Sequence, residues 1–274
     1  MTLLGRTLAV SIPDTVLEEK ESQRDRTAKL GLIARACAIY GVDLIEIFED
    51  PKGLGRAAEI RKILEYLETP QYLRRRLYPL DESLKYAGIL PPLRIPSHKA
   101  RVRFNQLAVG EIREGVVNGD GTVDIGLDVT PRLKERVTPG RRVTVKVTSL
   151  RPAISELVSR ERVGNYWGYA VEVKTVSQIL SDARFGVKIA TSRLGTPLAE
   201  AMGRLEASVG RADSVKLIFG SPSKGLFDIV GETLTRKVDF VVNLFPGQQV
   251  ETVRTEEAIF AGLSLLGFIS AGKA

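Results

Sequence analysis

Up to Leu90, hydrophobic and polar positions follow two alternating formats. Leu3–Ile12, with TLAVSI at its end, is a nearly unbroken apolar run that stops at Pro13 and reads as a strand buried on both faces. Asp14 is placed to cap a long helix. The middle of that helix, Glu18–Lys29, is charged and its end, Leu30–Tyr40, is apolar, so the first half belongs in solvent and the second in the core. Gly41 stops it. Asp43–Phe48 reads as the next strand, and Ala57–Leu67 as an amphipathic helix with Ile60, Ile63, Leu64 and Leu67 on one face. A β–α–β–α order predicts a parallel sheet covered by helices.

The format changes near Leu90. Pro91, Pro92 and Pro96 mark a hinge-like stretch, after which helical periodicity vanishes. Ala108–Val117, Thr122–Leu127, Arg142–Leu150 and a stretch near Tyr169–Lys174 are short and β-branched, with Gly/Asp turns such as Asn118–Gly121 between them. Such spacing predicts a small barrel or sandwich, and a five-stranded OB-like barrel, commonly a nucleic-acid platform, fits the length. The α/β format resumes at Ser177. Strand Val187–Ala190, helix Leu198–Glu206 and strand Val215–Phe219 are followed by a Gly-rich loop and a last strand–loop–helix unit. The expected organisation is one discontinuous α/β domain, residues 1–91 and 168–274, interrupted by an all-β insertion at 92–167.

Composition narrows the class. A chain of 274 residues, 43% hydrophobic and 27% charged, is globular and long enough for two domains. Its net charge of +7 points to a polyanionic partner, and the distribution says more than the total. Arg74–Arg76 are consecutive, and Arg132, Lys134, Arg136, Arg141, Arg142 and Lys146 cluster in the insertion. The cluster is either an RNA-facing patch or a solvated face, and the same two readings apply to Arg24 and Arg26 on the first helix. Tyr166, Trp167 and Tyr169 either stack bases or pack an interface. The one cysteine excludes an intrachain disulfide and a cysteine-based zinc site, and Cys37 reads as a small core residue. The single His98 leaves a metal site or a histidine triad without support. No secretory pattern opens the chain, and its longest apolar run, Ala258–Ala271, is shorter than the ~20 residues that span a bilayer. No membrane and no metal are expected, and the location is expected to be cytoplasmic.

The stretch richest in chemistry is FVVNLFPGQQVETVRTEEAIFAGLSLL, Phe240–Leu266. Strand Phe240–Val242 runs into a loop with Asn243, Pro246 and Gly247, and a second turn, Val250–Arg254, enters a helix. Thr255 is the expected N-cap, with Glu256 and Glu257 on the helix's positive end. Ala258–Leu266 is apolar on nearly every face, which predicts a buried helix. A loop rich in backbone donors between a strand end and a buried helix is a ligand-binding arrangement in α/β proteins, although an ordinary strand–turn–helix unit reads the same way. The absence of GxGxxG after the first strand disfavours a dinucleotide-binding domain.

Three segments carry a resemblance. NLFPGQQVETVRTEEAIFAGLSLL resembles the last motif of the SPOUT superfamily of RNA methyltransferases, and FGSPSKGL, Phe219–Leu226, resembles its central Gly-rich loop. KLGLIARACAIYGV, Lys29–Val42, resembles the first motif, in which Asn-x-Gly-x-x-x-Arg precedes a helix-closing Gly. Gly31, Arg35 and Gly41 match in register, and Lys29 departs from the Asn. The resemblance spans roughly the whole chain and is strongest to the archaeal and eukaryotic branch with an inserted OB-fold, linked to uridine-N3 methylation.

The resemblance implies a trefoil-knotted α/β domain, a homodimer, an RNA substrate (rRNA or tRNA) and S-adenosyl-L-methionine as cofactor. The cofactor would be held mainly by backbone groups of three loops. Carried over, these are Phe219, Gly220, Ser221, Gly225 and Leu226; Asn243, Leu244, Phe245, Pro246, Gly247 and Gln248; and Thr252, Val253 and Thr255. Arg35 is the implied catalytic side chain at the dimer interface, where a guanidinium would stabilise the developing imide anion of uridine; a salt bridge to a core carboxylate is the other reading. Arg254 and Glu257 are alternatives that could equally complete the helix N-terminus. Arg24, Arg26, Arg132, Lys134, Arg141 and Arg142 are the candidate RNA contacts. Lys29 at the Asn position weakens the case for ribose 2′-O methylation. A non-catalytic RNA-binding or ribosome-assembly factor that keeps the fold is the rival reading.

Overall fold

The computed structural model of the protein describes residues 6–18, 20–50, 53 and 55–271. In chain order the elements are β1 (Thr7–Pro13), α1 (Gln23–Tyr40), β2 (Leu44–Glu49), α2 (Ala57–Glu68), α3 (Gln71–Leu77), β3 (Ile112–Val117), β4 (Val123–Asp124), β5 (Arg132–Leu133), β6 (Arg142–Leu150) and β7 (Ala153–Leu157). They continue with β8 (Ala170–Thr175), α4 (Val176–Ser181), β9 (Val187–Pro197), α5 (Leu198–Arg211), β10 (Ser214–Ile218), α6 (Leu226–Val230), α7 (Leu234–Lys237), β11 (Phe240–Asn243) and α8 (Thr255–Ala271). They form two compact units. The first comprises residues up to 65, 83–91 and 169 onward; the second comprises 66–82 and 92–168.

The first unit is built on a six-stranded parallel sheet in the order β11-β9-β10-β1-β2-β8. Its central strands are buried on both faces, which is why β1 reads as a continuous apolar run. On α2, Ile60, Ile63 and Leu64 are fully buried, each worth about 2 kcal/mol relative to exposure. The sheet also contains charge that periodicity does not reveal. Lys216 of β10 and Glu46 of β2 are both fully buried, 2.7 Å apart, and the Ser11 hydroxyl donates to the same carboxylate. Lys174, Asp182 and Arg184 extend this network. Such a network adds little net stability, because desolvation offsets most of the attraction.

The first helix starts later than its sequence indicates. Asp14 lies in a single 3-10 turn, where its carboxylate accepts the Asp50 N–H. Helix α1 begins at Gln23, with the Ser22 hydroxyl accepting from the Asp25 N–H, and ends at Gly41 with φ 69°. Lys29 is buried, donating to the Val16 carbonyl and ion-paired with Glu21. β8 pairs with β2, so the Tyr169–Lys174 stretch belongs to the parallel sheet and not to the barrel.

The second unit is a nearly closed five-stranded barrel. Its strand order is β4-β3-β6-β7-β5, and a bridge between Thr122 and Arg132 joins the two ends. β5 and β7 are parallel and the other pairs are antiparallel, as an OB-like barrel requires. Leu107, Val117, Val123, Ile125, Leu133, Val145 and Val147 fill the interior. Residues 66–82, read from the sequence as part of the α/β domain, lie in this unit. Tyr72 donates its hydroxyl to the Glu114 carbonyl, and Glu68 pairs with Arg142.

Candidate functional site

The loops at the carboxyl ends of β9, β10 and β11, with the N-terminus of α8, enclose a cleft of about 260 Å³. Each wall has a local cause. After β10, Phe219 is buried and Gly220 turns the chain; a Cβ there would lie 3.0 Å from the Lys224 carbonyl and 3.1 Å from the Leu226 nitrogen. Ser221 closes the loop, its N–H donating to the Lys224 carbonyl and its hydroxyl accepting from the Lys224 N–H. Lys224 reaches Asp50 at 2.9 Å and ties the loop to the end of β2.

After β11, Asn243 accepts from the Phe245 N–H and donates to the Arg193 carbonyl. Phe245–Gln248 is a turn closed by the Gln248 N–H, and Gly247 holds φ 76° in it. At α8 the structure corrects the expected cap. Thr255 is already helical, and its hydroxyl donates to the Gly220 carbonyl at 3.0 Å, outside its own helix. The Glu257 carboxylate accepts the Arg254 N–H and so completes the helix start.

The cleft brings together most of the expected cofactor residues: Phe219, Gly220, Ser221, Gly225, Asn243, Leu244, Phe245, Gln248, Thr252, Val253 and Thr255. Three expected residues are not in its lining. Leu226 is in the core, and Pro246 and Gly247 form the exposed turn behind it. A fourth wall, Thr191–Leu194, has no counterpart in the sequence reading. Along β11 the register jumps from Val241↔Ala190 to Val242↔Thr196, which throws the intervening β9 residues out of the ladder and over the cleft. Gly195 permits this, since a Cβ there would lie 2.8 Å from the Val241 carbonyl oxygen. That glycine, two residues before Pro197, was the available signal.

The catalytic candidates are placed differently. Arg35 is half-buried on α1 and does not line the cleft; Arg254 and Glu257 are exposed at its edge in sequence but also outside its lining.

Of the RNA candidates, Arg24, Arg132, Lys134 and Arg141 are exposed, with Lys134 paired to Glu156. Arg26 pairs with Glu59. Arg142 turns inward, 2.6 Å from both Glu68 and Glu114, so it holds the barrel together and does not face a ligand. Burial alone would lower its pKa, but the two carboxylates outweigh burial and raise it. Trp167 is buried and donates to Glu114, and Tyr169 donates to the Leu64 carbonyl; both pack rather than present a stacking face.

A Gly-turned cleft at the carboxyl ends of adjacent parallel strands defines a ligand-binding α/β domain, here joined to an OB-like barrel. A family described as "Putative RNA methyltransferase" matches residues 7–266, and the chain belongs to it. The human 28S rRNA (uridine-N(3))-methyltransferase is 31% identical over 97% of this chain and 80% of its own length. An uncharacterized protein of Halobacterium salinarum is 34% identical over 95% of this chain and 98% of that protein. Among solved structures, a probable methyltransferase from Bordetella pertussis aligns over 98% of this chain and 99% of its own at 12% identity and a TM-score of 0.44. The family match and the human relative bear out the motif resemblance to RNA methyltransferases. Among the described residues no cluster of potential metal ligands occurs, and no helix is long and apolar enough to cross a membrane.

Proposed function

We propose that this protein is an S-adenosyl-L-methionine-dependent methyltransferase acting on N3 of a uridine in structured RNA, with rRNA the leading substrate. The observation that carries the reading is the cleft itself. Its chemistry fits the cofactor: close backbone approach at Gly220, apolar walls from Leu244 and Val253, and backbone polar groups of three loops for the adenine and ribose edges. Bound there, the cofactor supplies an activated methyl group on a sulfonium, whose departure as a neutral thioether needs no acid. The protein's task is then to orient the two reactants and exclude water. The human relative's name supports uridine N3 as the acceptor.

Arg35 is proposed to stabilise the imide anion. Because it stands outside the cleft of its own chain, this role calls for a second subunit. Helices α1 and α8 pack together, with Tyr40 and Ser264 hydroxyls 2.6 Å apart, and leave apolar side chains uncovered: Leu32 is 50% exposed and Phe268 70%. The expectation that α8 is a buried helix holds only in part within one chain, with Ile259, Leu263 and Leu266 buried and Phe268 exposed, and a homodimer through α1 and α8 would cover the remainder. Light scattering should give a dimer at micromolar concentration, and a stable monomer contradicts this arrangement. Calorimetry with the cofactor, followed by nucleoside mass spectrometry of RNA from cells with and without the gene, tests the function. Cofactor binding with loss of 3-methyluridine on deletion supports it. Failure to bind leaves the rival reading, an RNA-binding assembly factor.

A further inference from the structure

The barrel unit has a cleft of its own. About 330 Å³ in volume, it is lined by Arg101, Val102, Arg103, Gln106, Leu127 and Asp128. It lies where the chain enters the barrel, before β3, and beside the loop that follows β4. None of these residues belongs to the basic cluster that the sequence singled out. We propose that this cleft holds one unstacked nucleotide of a single-stranded RNA segment. The proposal rests on the RNA-methyltransferase reading and adds to it where the barrel grips its substrate.

The two arginines differ from several other cations of this unit. Arg76, Lys99, Arg113, Lys134, Arg142 and Arg160 are each within ion-pair distance of a carboxylate. Arg101 and Arg103 are exposed, and their guanidinium groups have neither a carboxylate nor an aromatic ring as partner among the described residues. Two unneutralised guanidiniums in the lining of one cleft suit the phosphates adjoining a single nucleotide. Val102 and Leu127 supply the apolar part of the lining, and both are only half-buried. A base face can cover such a wall.

The polar groups are partly committed, and in a useful sense. Gln106 uses its carbonyl oxygen to accept the Arg103 N–H, which leaves its amide N–H groups as donors. Asp128 uses one carboxylate oxygen to accept the Phe104 N–H, which holds it in place with the other oxygen as an acceptor. A donor and an acceptor beside an apolar wall match the edge of a nucleobase that carries both C=O and N–H. The Asp128 charge repels phosphate, so it belongs at the base and the arginines at the backbone. The volume is near the lower end of the roughly 300–1,000 Å³ of ligand clefts, which suits a single nucleotide. In a duplex that base edge is paired and the base face stacked, so single-stranded RNA is the substrate form this cleft fits.

The test uses the full chain and a fluorescent single-stranded RNA 12-mer of mixed sequence, read by anisotropy, with a duplex of the same sequence as competitor. R101A/R103A should raise the Kd for the single strand by about ten-fold and reduce its log–log salt slope by about 1.4, the share of two phosphate contacts. Cofactor affinity should be unchanged. With 4-thiouridine in the oligonucleotide, photocrosslinks should map to residues 101–106 or 127–128. Wild-type affinity in R101A/R103A, no crosslink to these segments, or equal competition by duplex each overturns the proposal. If R132A/R141A weakens binding while R101A/R103A does not, the cleft assignment fails and the barrel's RNA role stands. If the wild-type protein binds neither RNA, the parent reading falls with it.

Discussion

The Thr255 hydroxyl donates to the carbonyl of Gly220, 35 positions earlier, at 3.0 Å. One bond thus joins the start of the last helix to the Gly-rich loop, and both line the same cleft. Thr255→Val keeps the shape and removes the donor. It should destabilise the first unit by about 1–2 kcal/mol, and weaken cofactor binding several-fold in calorimetry. Unchanged affinity would separate the helix start from the pocket.

Gly220 and Gly247 should respond differently. A Cβ at Gly220 meets backbone at 3.0–3.2 Å, which cannot move aside cheaply, whereas at Gly247 it meets nothing and only the φ of 76° resists it. Gly220→Val should abolish cofactor binding with the fold retained by circular dichroism. Gly247→Ala should cost about 1 kcal/mol of stability and change affinity little.

Arg35 lies outside the cleft, so Arg35→Ala should leave cofactor affinity within two-fold of wild type while methyl transfer falls by roughly a hundred-fold or more. Parallel loss of both would assign Arg35 to the fold instead of the reaction.

Within the barrel, Arg142→Ala removes the closer of the two cations that pair with buried Glu68 and Glu114, leaving Arg160 beside them, and should destabilise that unit by about 3 kcal/mol in denaturant unfolding. Replacing exposed Arg132 and Arg141 with Ala should change stability by less than about 0.5 kcal/mol. Equal stability of the two variants would refute the inward role of Arg142.

His98 supplies a pH signature. Burial pushes its pKa down to about 4, opposed by its ring hydrogen bond to the Glu68 carbonyl and aided by the positive charges of Arg74 and Arg142. The unfolded chain binds this proton near pH 6.5, the folded barrel only near 4. Stability from the neutral ring is therefore complete above about 6.5 and declines as pH falls to 4. Wild type should lose roughly 2 kcal/mol more than His98→Asn between pH 7 and pH 4.5 in denaturant titrations. Parallel pH profiles would remove His98 from this role.

The sequence alone determined what local patterning controls. The apolar run of β1, the stripe of α2, the Gly41 stop and the shift to short β-branched segments after Leu90 each follow from one period or one residue's backbone freedom. The loops that line the cleft were legible because turns containing glycine or proline follow strands β10 and β11. Tertiary structure decided the rest. Whether Thr255 caps its own helix or reaches Gly220 depends on a chain segment 35 residues away. The Thr191–Leu194 wall exists only because β11 pairs across a jump in β9, and a register has no one-strand signature. Arg142 and Arg132 are the same residue type in one basic cluster, yet only packing against Glu68 and Glu114 turns the first inward. Charge is read from composition, but its direction is set by which carboxylates the fold brings within reach.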